Sequence, residues 1–177
     1  MLAVRLLKIA MVASLSVFAL LVTFNNLTDY DSNYQFVRHT LSMDTTFPGN
    51  ALMWRAITDP ALWTAGYWAI ILTEAATGTV LAIGAWRMLA AVRDDSARFN
   101  ASKQCAMIGA GLGFLLWFGG FVVIGGEWFV MWQSKAWNGQ EAAFRFYMTL
   151  LGVLVFVNQS DGDLPPPHDI PPGRARR

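Results

Sequence analysis

Four long apolar runs separated by polar stretches set the pattern of the chain. Leu6 to Phe24 carries Lys8 as its sole charge and is about long enough to cross a hydrocarbon layer of roughly 30 Å. Leu62 to Val92, Cys105 to Trp132 and Ala142 to Val157 repeat the pattern, the last beginning before its apolar run. The pattern predicts an all-α fold, a four-span transmembrane helical bundle with spans at 6–24, 62–92, 105–132 and 142–158. The first run also fits a signal peptide, but its end, LLVTFNN, lacks the small-x-small cleavage signature, so it is read as an uncleaved span.

The polar stretches predict outer loops at 25–61 and 133–141 and an inner linker at 93–104. In the first loop Asp31 or Ser32 can cap a short helix with Tyr34, Val37 and Leu41 on one side. After the turn Phe47-Pro48-Gly49-Asn50, Met53, Trp54 and Ile57 make a second apolar stripe. Two short interfacial helices would satisfy both. Asp59-Pro60 then supplies an N-cap with proline at the first helical position, which starts the second span. Beyond Asn158 the composition turns to SDGDLPPPHDIPPGRARR, so 159–177 is predicted to be a disordered proline-rich tail.

Composition supports lipid as the solvent: 55% of the 177 residues are hydrophobic and only 14% are charged. A net charge of +1 with dispersed cations excludes the broad basic face that nucleic acid requires. One cysteine, Cys105, excludes an intrachain disulfide. Cation placement orients the chain. Arg5, Lys8, Arg87, Arg93, Arg98, Lys103, Arg174, Arg176 and Arg177 fall on the side of both termini, against Arg38, Arg55, Lys135 and Arg145 opposite. Both termini are therefore predicted to be cytoplasmic.

Candidate chemistry is sparse. Glu74 sits about halfway along the second span without a cation at its depth, and Thr77, Ser14, Ser16 and Thr149 are placed to form a midplane polar layer with it. The layer serves either as a proton relay or as a hydrogen-bonded joint between helices, and the joint is favoured because one carboxyl makes no pathway. Gly109, Gly113 and Gly120 form a small-residue stripe that Glu127 continues, and Arg145 at the head of the fourth span is placed to reach Glu127. That pair fixes two helices, or else belongs to a recognition pocket walled by Trp128, Trp132 and Trp137 with Gln133, Asn138 and Gln140 as polar contacts. Aromatic residues at this depth also form the ordinary interfacial belt. His39 and His168 fall in a loop and the tail, which excludes bis-histidine haem ligation. Asp29, Asp31, His39 and Asp44 match no standard metal loop and are read as capping or surface groups. No phosphate loop, nucleophile elbow or HExxH stands in the chain, and no cofactor is predicted.

Three blocks carry a resemblance: NNLTDYDSNYQFVRHTLSMDTTFPGNALMWRAITDPAL at Asn25 to Leu62, the Tyr67-Trp68 pair with Glu74, and GGEWFVMWQSKAWNGQEAAFR at Gly125 to Arg145. With the hydrophobic runs they resemble a bacterial family of predicted small integral membrane proteins, a domain of unknown function, up to about Val157. The resemblance implies a four-span protein of the bacterial inner membrane and implies no activity.

The function expected from these features is a non-catalytic accessory subunit of a larger inner-membrane complex. Its aromatic outer loops would dock a membrane-protein partner or a second copy of the chain. A small transporter or channel component with a proton-binding Glu74 is the alternative.

Overall fold

The computed structural model describes residues 2–164. Six α-helices run as α1 Leu2–Thr28, α2 Tyr30–Ser42, α3 Pro60–Ala90, α4 Ser96–Ser102, α5 Gln104–Phe114 and α6 Gln140–Asn158. No strand occurs among the described residues, and the fold is an all-α bundle. Four helical stretches are long and apolar enough to span a membrane: Leu2–Thr28, Pro60–Ala90, Ser96–Trp128 and Gln140–Asn158.

The antiparallel pair of α1 and α3 builds the centre, and matching buried stripes explain it. On α1 the buried face runs through Val12, Ser16, Ala19, Thr23 and Asn26; on α3 it runs through Tyr67, Ile71, Glu74, Gly78, Leu81, Gly84 and Met88. Both follow three- and four-residue steps, so each keeps one face toward its partner. Small residues let the backbones close up. At Gly84 an added Cβ would lie 2.6 Å from the Ala106 nitrogen of α5, so the α3–α5 crossing depends on the missing side chain.

Asn25 to Ala61, read as an outer loop, is mostly helix. Asn25 to Thr28 finish α1, and the Asp29 nitrogen still donates to Asn25 oxygen at 2.8 Å. The chain bends there and continues along α3, with Tyr30 edge-on to Tyr67 at 4.8 Å. The predicted cap at Asp31 or Ser32 gives way to a start at Tyr30, since the apolar face of Tyr30, Tyr34 and Val37 packs on Tyr67 and Ile71. Of the two short helices expected, the first is α2, and the second is a single 3₁₀ turn, Met53–Arg55. Asp59 caps α3 as predicted, accepting from the Ala61 nitrogen at 2.8 Å.

The third span departs from α-geometry. From Leu115 to Trp128 it is π-helical, with i→i+5 bonding that closes from Phe129 nitrogen to Ile124 oxygen. A π-helical stretch of 14 residues is far longer than the single-turn bulges that are usual. Four glycines in it, Gly119, Gly120, Gly125 and Gly126, lower the side-chain crowding that favours a tighter turn.

The start of the predicted tail is ordered. Asp161 Oδ2 accepts from Lys8 Nζ at 2.7 Å and from Lys103 Nζ at 2.6 Å, and all three side chains are buried. Both ammoniums also donate to Gln159 oxygen, and Arg5 donates to the carbonyls of Val92, Asp94 and Gly162. Cations read from the sequence as flanking charges therefore clamp residues 159–164 onto the terminal end of the bundle. The rest of the predicted disordered tail, 165–177, with His168, lies outside the described residues.

Candidate functional site

The end of the bundle opposite the termini is closed by two interlocked loops. Gln133 Oε1 accepts from the Phe47 nitrogen at 3.0 Å and from Asn50 Nδ2 at 3.3 Å, while Thr45 Oγ1 donates to Ser134 Oγ at 2.9 Å. Trp137 stacks on His39 at 4.7 Å and meets Phe36 edge-on, and His39 in turn faces Asp44 at 2.8 Å. Gln133 and Trp137, predicted as recognition contacts, thus hold the loops to each other. Asn138 is a capping group, its Oδ1 accepting from the Gln140 nitrogen at 3.1 Å at the start of α6. The Gln140 side chain lies across Gly126, filling the space that a Cβ would occupy.

What remains outward is aromatic. Trp54 is 70% exposed and Trp128 48%, and they meet edge-on at 6.0 Å. The Arg55 guanidinium lies 5.2 Å from the Trp54 ring centre and 4.6 Å from that of Trp128. Its Nη1 donates to the Trp128 carbonyl at 3.2 Å, and its Nε is buried without a partner. Trp132, 48% exposed, stands edge-on to Phe47 at the same end. Sequence reasoning placed Trp128 and Trp132 here and missed Trp54 and Arg55. A cation beside a tryptophan in a loop was the available signal, but only folding brings it to Trp128.

The Glu127–Arg145 pair does not form. Arg145 bonds Glu141 one turn away on α6, and both are exposed. Glu127 is exposed beside Arg55, Val123, Ile124 and Trp128. The physical reason is the π-helical stretch: residues seven apart share a face in an α-helix, and the wider turn ends that register after Gly113. Gly113 packs against Leu150 of α6, whereas Gly120 meets only its own helix.

The polar layer around Glu74 is also differently composed. Glu74 is 2% exposed, and its Oε2 accepts from Asn26 Nδ2 at 2.7 Å. The Tyr67 hydroxyl donates to the Asn26 carbonyl at 2.8 Å. Ser16 Oγ donates to Gly78 oxygen across the helix pair, and Thr77 is buried with its hydroxyl unpartnered. Ser14 and Thr149 do not join the layer: they are exposed and donate to carbonyls of their own helices, Ala10 and Arg145. Asn26 was missed because the first span was ended at Phe24. The buried stripe through Ser16 and Thr23 reaches it three residues on.

No cluster of three metal-ligating side chains forms among the described residues. Asp31 stands in the first turn of α2 and His39 in its last, so the structure does not gather Asp29, Asp31, His39 and Asp44.

Four apolar helical spans and an aromatic loop end define a small multi-span membrane protein that sits in a lipid bilayer. The chain belongs to the family of predicted small integral membrane proteins, DUF2165, whose model matches residues 4–160. No curated protein and no solved structure matches it.

Proposed function

We propose that the protein is a non-catalytic interaction subunit of a larger complex of the bacterial inner membrane, docking through its loop end. The Trp54–Arg55–Trp128 cluster carries this reading: Trp and Arg are enriched among the residues that dominate interface energies, and these three stand together with both rings outward. The loops beneath are locked by Gln133 and Ser134, so docking would cost little ordering entropy. No carboxylate among the described residues pairs with Arg55, and two tryptophan rings lie against it. The fitting partner is an integral membrane protein that presents an acidic side chain at the membrane boundary.

The test is affinity purification of the full chain from native membranes in mild detergent. A partner should be recovered in fixed ratio, and Trp54→Ala, Trp128→Ala or Arg55→Gln should reduce its yield at least tenfold while melting behaviour is unchanged. A lone chain or a homo-oligomer recovered in several detergents overturns the reading. Transport through Glu74 has weaker support, since Thr77, the next buried polar side chain along α3, makes no hydrogen bond.

A further inference from the structure

Two neighbouring cavities lie in the loop-end half of the bundle, one of them sharing Ile124 with the groove that Arg55 and Trp128 line. One, of about 220 Å³, is lined by apolar side chains, by Gly66, Gly120 and Gly125, and by Thr40, whose buried hydroxyl has no partner among the described residues. The other, of about 210 Å³, places Glu74 and Asn26 among the rings of Trp117, Phe121 and Phe146. Phe36, Val37, Ile70 and Phe121 line both, so the two chambers adjoin across those side chains.

The amide and hydroxyl donors that line the polar chamber are already engaged: Asn26 Nδ2 donates to Glu74, Asn33 Nδ2 to the Asp29 carbonyl and the Tyr67 hydroxyl to the Asn26 carbonyl. Among the described residues Glu74 has one hydrogen bond, through Oε2, and neither its Oε1 nor the Oδ1 of Asn26, a residue 8% exposed, accepts from any of them. No Lys, Arg or His lines either chamber. A buried carboxylate within a membrane span is retained only with a partner, and this one lacks a cation. Carboxylate and amide oxygens set among aromatic faces are the chemistry that recognises an organic ammonium. A glycine-lined apolar chamber next door provides room for the hydrocarbon attached to it.

We propose that the two chambers form one binding site for an amphiphile with an ammonium head. The head hydrogen-bonds to Glu74 and Asn26 between the rings, and the alkyl chain fills the apolar chamber. Such a head belongs either to a free alkylamine or to the ethanolamine group of a membrane lipid.

The full chain in a non-ionic maltoside detergent is titrated with octylammonium, octanol and octanoate, with heat of binding and melting temperature as readouts. Octylammonium should bind saturably at one site and raise the melting temperature, with octanol and octanoate at least tenfold weaker. This comparison needs no variant. Glu74→Gln keeps an oxygen for Asn26 and should lose at least tenfold in octylammonium affinity, its helical content showing that it folds. Gly120→Leu, whose new side chain would enter the apolar chamber, should weaken octylammonium and leave butylammonium unchanged. Octanol binding as tightly as octylammonium, or Glu74→Gln binding octylammonium as tightly as the native chain, overturns the proposal. Phosphatidylethanolamine doped into the micelles distinguishes the sources. If it competes, the head is the lipid's; if it does not, the ligand is a free amine, and either result supports the ammonium site.

Discussion

Asp161 shows how one carboxylate in an apparently formless tail can hold a membrane bundle together. Burial alone would raise its pKa, but the hydrogen bonds from Lys103 and Lys8 outweigh that and hold it below the usual carboxylate range. Removing it leaves two buried ammoniums without their counter-ion, so Asp161→Ala should cost about 3 kcal/mol or more, read from chemical unfolding in detergent. The folded-state pKa lies below the unfolded one, so the contribution is complete above about pH 4 and disappears as pH falls through the depressed value. Melting the native chain and Asp161→Asn from pH 7 downward should therefore show a gap that is constant near neutrality and narrows below about pH 4. At the other buried carboxylate, Asn26→Leu removes the only hydrogen bond Glu74 makes among the described residues. It should destabilise by about 1–3 kcal/mol, read as a lower unfolding midpoint. The sequence showed the hazard of a carboxyl at mid-span. It could not show the remedy, because Asn26 lies 48 positions away on another helix.

Among the elements, the spans were the most legible, because a run of apolar residues declares itself without knowledge of its neighbours. Their ends were less so, since tertiary packing decides them. Asn25 and Asn26 look like loop residues, yet α1 runs through them because Tyr67 and Glu74 offer partners for Asn26. The π-helical stretch was not legible at all. Its consequence was that a stripe projected at α-helical spacing from Gly109 reached Glu127 in the wrong register. Small residues at the α3–α5 crossing give a direct test of packing at this scale. Gly84→Val pushes a side chain into the Ala106 backbone and should cost about 1–3 kcal/mol or more. Gly152→Ala on α6, where an added Cβ meets nothing within 4 Å, should be neutral or stabilise by about 0.5–1 kcal/mol. Parallel unfolding curves of the two variants measure the contrast, and equal losses would mean that the crossing is not close-packed.

For the whole molecule, the cations that bias the orientation of a membrane chain are partly hidden in the folded state. Arg5, Lys8 and Lys103 are buried against carbonyls and Asp161, so in the finished protein they contribute little to the field at the terminal end. Arg87, Arg93 and Arg98 remain exposed there, and Lys135 and Arg145 are exposed at the loop end. Counted on the surface of the described residues alone, the asymmetry nearly vanishes. The bias toward a cytoplasmic location acts on the chain during insertion, however, before Asp161 has been made and before Lys8 or Lys103 has found it. The unfolded count is the relevant one, and we propose that it places both termini in the cytoplasm. Single cysteines at Arg98 and Lys135, each in a Cys105→Ser background, test this in intact cells. A membrane-impermeant maleimide should label Lys135→Cys at least tenfold faster than Arg98→Cys, and the difference should vanish once the membrane is permeabilised. The same cysteines in an Asp161→Ala chain should label with the same sidedness, because the clamp forms after orientation is set. Reversal in that variant would mean that the folded cluster, and not the nascent charges, directs insertion.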